Sequence, residues 1–85
     1  MGMDFVEFAM RLEDAFGIEI PDRDAADLLT VGQWHEYLVS RLPGAGREVI
    51  WQKQLDVLSK LLHLDETQRA KVKPTDHVVR DLGFT

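Results

Sequence analysis

The sequence predicts an all-α fold, a small helical bundle of three main helices plus one or two short ones in a single domain. Three observations carry that prediction. Apolar residues recur at spacings of three and four over three separated stretches, a Gly or Pro stands near the end of most of them, and no run needs the period of two that marks a half-buried strand. With 85 residues, 45% hydrophobic and 29% charged, the chain is too apolar to remain disordered and too charged to span a bilayer.

Over residues 3–16, Phe5, Phe8, Leu12 and Phe16 share one helix face, and Gly17 ends the element. A turn through Ile18, Glu19 and Ile20 leads to Pro21 and Asp22, and residues 24–29 support only a brief helical segment. Thr30 starts the next helix. Thr30-Val31-Gly32-Gln33 fits a capping box, in which hydroxyl and amide satisfy each other's backbone donors, while Val31, Trp34, Leu38 and Leu42 form the buried stripe. Pro43-Gly44-Ala45-Gly46 stops it and is the one linker-like stretch; four extended residues span roughly 13 Å, enough to join antiparallel neighbours.

The longest helix is expected over 48–63, with Ile50 or Trp51, Leu55, Leu58, Leu61 and Leu62 as its apolar stripe. A polar run follows over 65–73. Pro74-Thr75-Asp76 reads as a turn and helix start, 77–82 as one or two helical turns, and Gly83 as a left-handed cap.

Charge is unevenly spread. The net charge is −5, yet residues 1–46 hold three basic and nine acidic groups while residues 47–85 hold seven and six. An acidic first half argues against nucleic acid, whose phosphates demand Lys and Arg, and favours a partner with a basic surface. Residues 1–12 carry Asp4 and Glu7 where a secretory leader would be basic and then apolar, so neither leader nor membrane span is expected and the cytoplasm is the default compartment.

The inventory of reactive groups excludes most catalysis. There is no Cys, hence no disulfide, thiolate cluster or thiol nucleophile. His35, His63 and His77 lack the paired spacing of a metal site; His35 on a helix flank and His63 at a helix end read as surface residues. Ser40 and Ser59 have no local base motif. Asp22, Asp24 and Asp27 suggest a calcium loop only superficially, because Asp27 replaces the turn glycine and Gln33 the bidentate Glu; capping and the helix dipole explain them better. No phosphate-binding glycine loop occurs. The chain is therefore not expected to be an enzyme. What stands out is the outward face of the first helix, where Met3 and Met10 lie among Asp4, Glu7, Glu13 and Asp14: either a solvated acidic flank, or a docking surface that combines steering carboxylates with adaptable thioethers.

The stretch MDFVEFAMRLEDAFGIEIPD, from Met3 to Asp22, closely resembles the second helix and following loop of acyl carrier proteins. In that family an Asp-Ser-Leu motif precedes the helix, and its serine carries 4'-phosphopantetheine. Residues 72–85, with Asp81-Leu82-Gly83-Phe84-Thr85, resemble the loop that leads into the serine, and 48–64 resemble the family's first helix. The resemblance thus implies a circularly permuted carrier: 3–42 equivalent to the family's C-terminal helices, 43–46 a linker, and 47–85 equivalent to the first helix and its loop. Placed end to end, Thr85 runs into Gly2, so Gly2 takes the position of the attachment serine and Thr85 flanks it. Glycine has no hydroxyl, so the prosthetic group is expected to be absent. By position, the resemblance makes Met3, Asp4, Glu7, Met10, Glu13, Asp14, Ile20 and Asp22 the partner-binding residues. The implied partners are carrier-dependent enzymes with basic docking surfaces: a phosphopantetheinyl transferase, acyl or related ligases, and synthases. Two alternatives accompany this reading: an interaction module that carries nothing, and a dimer formed by exchange of the long C-terminal helix.

Overall fold

The computed structural model describes residues 3–78 and 80–83, the first three of them by backbone alone. Five helices follow in order: α1 (Met3–Phe16), α2 (Asp22–Ala25), α3 (Val31–Arg41), α4 (Arg47–Leu62) and α5 (Glu66–Ala70). Among the described residues no strand forms, only one isolated antiparallel bridge between Thr30 and His77. The all-α bundle expected from the apolar spacing is what the chain adopts.

α1 buries Phe8 and Leu12 and ends where Gly17 turns left-handed at φ 66°, its N–H closing on Glu13 O at 2.8 Å. α3 buries Val31, Trp34 and Leu38 and carries the expected reciprocal capping box between Thr30 and Gln33. α4 packs against both α1 and α3, burying Ile50, Leu55 and Leu58; Trp51 is only half-buried. Phe8 meets Trp34 edge-on with ring centroids 5.1 Å apart, joining α1 to α3 at the centre of the core. Ile20, Ala25, Leu28 and Val78 complete that core from the loops and α2.

Four local expectations need correction. α2 begins at Asp22, two residues early, because Pro21 occupies its N-cap with a φ already suited to the entry; no side chain caps it, so Asp22 and Asp24 do not act as caps. The polar run after α4 contains α5, started by an Asp65–Gln68 capping box and buried nowhere along its length. The described residues of the 77–82 segment form turns rather than helix: His77 N–H donates to the Asp81 carboxylate at 2.7 Å, and the Asp81 and Leu82 N–H groups return to His77 O at 2.8 and 3.1 Å. His35, expected on the surface, is half-buried. Its Nε2 lies 2.9 Å from Arg47 O and its ring stands edge-on to Trp51 at 5.3 Å, which ties α3 to the start of α4. The α4 terminus matches expectation within a residue, with His63 closing it at φ 56°.

Residues 74–78 form a strap across the N-terminus of α3. Val31 N–H donates to Asp76 O at 3.0 Å, Gly32 N–H to Pro74 O at 2.8 Å, and Val78 N–H to Leu29 O at 2.9 Å. The first two N–H groups of a helix have no partner inside it, so the strap satisfies donors that water would otherwise have to meet. Thr30 Oγ1 takes the third at Gln33, 3.1 Å away. Segments more than forty positions apart are joined here by backbone alone.

A docking face on the first helix

α1 turns Phe8 and Leu12 inward, which leaves Met10 and Asp14 outward. Met10 is 54% exposed and Asp14 is exposed. Glu7, with its side chain 40% exposed, is not alone: Arg11, one turn on, donates through Nε to Glu7 Oε1 at 3.1 Å, with Nη2 at 3.0 Å. Arg11 was overlooked as part of this face, although the Glu-x-x-x-Arg spacing signals such a pair.

Not every expected site residue reaches this surface. Glu13 Oε2 accepts the Ile20 N–H at 2.8 Å, so that carboxylate fastens the loop after α1. Ile20 is 5% exposed and belongs to the core, where a partner cannot touch it. Asp22 is exposed in the first turn of α2, apart from the α1 stripe in sequence but on the loop that α1 feeds. Met3 and Asp4 lie on the first turn of α1, with side chains outside the described residues. Gly2 and Thr85 lie outside them entirely, so the juxtaposition of the chain's two ends belongs to sequence reasoning alone.

α2 is held by a short polar relay. Arg41 Nη1 donates to Tyr37 Oη at 2.7 Å, and that hydroxyl donates to Asp24 Oδ2 at 2.8 Å. Partial burial and the bond to Asp24 push the Tyr37 phenol above its ordinary pKa. On the opposite flank, the Arg47 guanidinium bonded to Glu36 holds that carboxyl below the usual range. Among the described residues no His or carboxylate cluster could hold a metal ion, and no helix is long and apolar enough to cross a membrane. Ser40 Oγ donates to Tyr37 O at 2.6 Å, an ordinary helical back-bond rather than the setting of a nucleophile.

Residues 3–38 match the phosphopantetheine attachment site family. The chain is 60% identical over 38 residues to an acyl carrier protein of Lactobacillus johnsonii, which is 45% of this chain and 48% of the relative. It is 50% identical over 38 residues to that of Lactobacillus acidophilus, again 45% and 48%. For that of Rubrobacter xylanophilus the figures are 49% over 37 residues, 44% of this chain and 46% of the relative. The chain spans about half the length of the curated relatives it matches, and no solved structure matches it. Residues 3–38 are therefore similar to the phosphopantetheine attachment site family, and a stretch of comparable length is similar to acyl carrier proteins. The family match begins at Met3, one position after Gly2.

Proposed function

We propose that this chain is an acyl-carrier-type domain with reordered helices, which keeps a docking face for carrier-dependent enzymes and lacks the phosphopantetheine acceptor. The observation that carries the reading is the family match over residues 3–38, together with the carboxylates and Met10 that α1 leaves accessible within it. α4 and the strap supply the remaining layer, in keeping with 47–85 serving as the family's first helix and loop, and 43–46 as the linker. Phosphopantetheine does not fit the residues at its expected position, since Gly2 has no hydroxyl and Thr85 is one position early. No step through the group is derived. Glu7, Met10, Asp14 and Asp22 form the accessible part of the proposed face, and a phosphopantetheinyl transferase, ligases and synthases are its proposed partners.

Intact mass after incubation with coenzyme A and a transferase tests the missing acceptor. No mass gain is expected for this chain, and a gain of one phosphopantetheine is expected for Gly2→Ser; a gain by the unaltered chain overturns the assignment. Reversing Glu7 and Asp14 together to Lys should weaken transferase binding at low salt by about tenfold, and unchanged binding overturns the docking face.

A second reading is favoured by Gly2 itself: an interaction module that occupies carrier-binding enzymes without receiving cargo. Exchange of α4 between two copies would preserve the same contacts, and sedimentation at rising concentration separates that dimer from the closed monomer.

A further inference from the structure

We propose that Arg11 makes the docking face selective, screening Glu7 and directing the groove between α1 and α4 toward partners that present a carboxylate within an otherwise basic, amphipathic surface. The inference rests on the docking reading above and names the partner chemistry for the same face.

The face is not uniformly acidic. Arg11 covers Glu7 with both a guanidinium bond and an ion pair, so one of the exposed α1 carboxylates is already answered within the chain. Arg11 also frames a groove with Asp14, Ala15, Val57 and Lys60, in which Ala15 and Val57 are half-buried and the three charged residues are exposed. Two cations and one carboxylate thus surround a small apolar floor that crosses from α1 to α4. A wholly basic partner would bring like charges against Arg11 and Lys60, an unfavourable arrangement that discriminates by repulsion. A partner with one Asp or Glu that reaches Arg11 on α1 or Lys60 on α4, an apolar residue on Ala15 and Val57, and Lys or Arg toward Asp14 meets the lining groups with their complements. The Arg11–Glu7 pair is no obstacle. Both side chains are nearly half exposed, and such surface pairs contribute about 0–1 kcal/mol, so the guanidinium can be shared with an incoming carboxylate.

The test uses two short amphipathic helical peptides, one with only Lys on its polar face and one with a single central Lys replaced by Glu, titrated into the isotopically labelled chain at low salt. The Glu-bearing peptide should bind about threefold or more tightly than the all-Lys peptide and shift the Ala15 and Val57 amides. Arg11→Glu should reverse that preference, and Lys60→Glu should reduce it; both positions are exposed, so the fold is retained. An unchanged preference in Arg11→Glu, or shifts that avoid Ala15 and Val57, overturns the proposal. The Glu7, Asp14 double reversal separates the two levels. If it weakens both peptides while Arg11→Glu changes nothing, the docking face stands and the role of Arg11 falls; if it weakens neither, the docking face itself falls.

Discussion

Gly32→Ala tests the strap, because two well-understood effects oppose each other at that position. Within a helix, Ala is favoured over Gly by about 0.8–1 kcal/mol. A Cβ at position 32, however, would lie 2.8 Å from Pro74 O and 3.1 Å from Pro74 Cβ. The oxygen cannot rotate aside, since it is backbone and already accepts the N–H of the same glycine at 2.8 Å. Relief therefore requires the strap to retreat by several tenths of an ångström, stretching the neighbouring bonds from Val31 to Asp76 and from Val78 to Leu29. Overpacking of this kind costs about 1–3 kcal/mol, and each weakened bond up to about 1 kcal/mol more. The loss exceeds the helix gain, leaving a net destabilisation of about 1–3 kcal/mol, or roughly 4–24 °C in Tm for a domain of this size. Thermal melts by circular dichroism read the total, and hydrogen exchange at the Val31 and Val78 amides reads the strap directly. Gly44→Ala is the control: nothing lies within 4 Å of its added Cβ, so it should be neutral or slightly stabilising. Melting of Gly32→Ala at or above the parent would refute the argument, because it would mean the strap yields at no cost.

Tyr37→Phe should remove a pH dependence as well as a bond. An acid whose pKa is raised by folding contributes stability that is complete below its unfolded pKa, near 10, and is lost as pH rises through the folded value, so the parent should lose stability in strong alkali more steeply than the variant. Parallel alkaline profiles would remove Tyr37 as the source. Gln54 is fully buried on α4, donating to Val31 O at 3.0 Å while its own Oε1 meets no partner among the described residues. Gln54→Met, which keeps the volume and removes the orphan acceptor, should cost no more than about 1.5 kcal/mol, whereas Gln54→Ala should cost about 2–4 kcal/mol in urea denaturation; equal losses would show that packing is not what the side chain supplies.

What sequence made legible was local or periodic. Gly17, the Thr30–Gln33 box and the stripe Val31, Trp34, Leu38 could be read because each depends on residues within a turn or two of one another. α5 escaped notice although Asp65 and Gln68 have the same box spacing, since a helix that buries nothing leaves no apolar period. Gln54 is absent from the apolar stripe expected for α4 because polarity is the ordinary sign of exposure, and only its burial and its bond to Val31 O disclose the exception. The strap was illegible for a different reason: its bonds are between main-chain groups, and apart from the absent Cβ of Gly32 no side chain records them. At the candidate site, Met10 and Asp14 were readable from helical phase, whereas the engagement of Glu13 with Ile20 N–H and the loss of Ile20 to the core required the path of the loop.

Those same main-chain bonds bear on how the helix order proposed above would keep one fold. The free energy of burying Phe8, Trp34 and Ile50 depends on which surfaces meet, not on which segment was synthesised first; connectivity enters only through the entropy of closing the links between them. At 43–46 the link is short and exposed, held by Ala45 N–H on Leu42 O at 3.0 Å, so it asks little of the packing on either side. The strap has the opposite character. It supplies acceptors that the first turn of α3 lacks in itself, and those acceptors serve α3 equally well whether the strap precedes it in the chain, as in the proposed family order, or follows it by more than thirty residues. Helix order is thus free to vary where the connection is solvent-exposed, while the pairing of 74–78 with α3 is fixed by hydrogen bonds that the helix cannot satisfy alone.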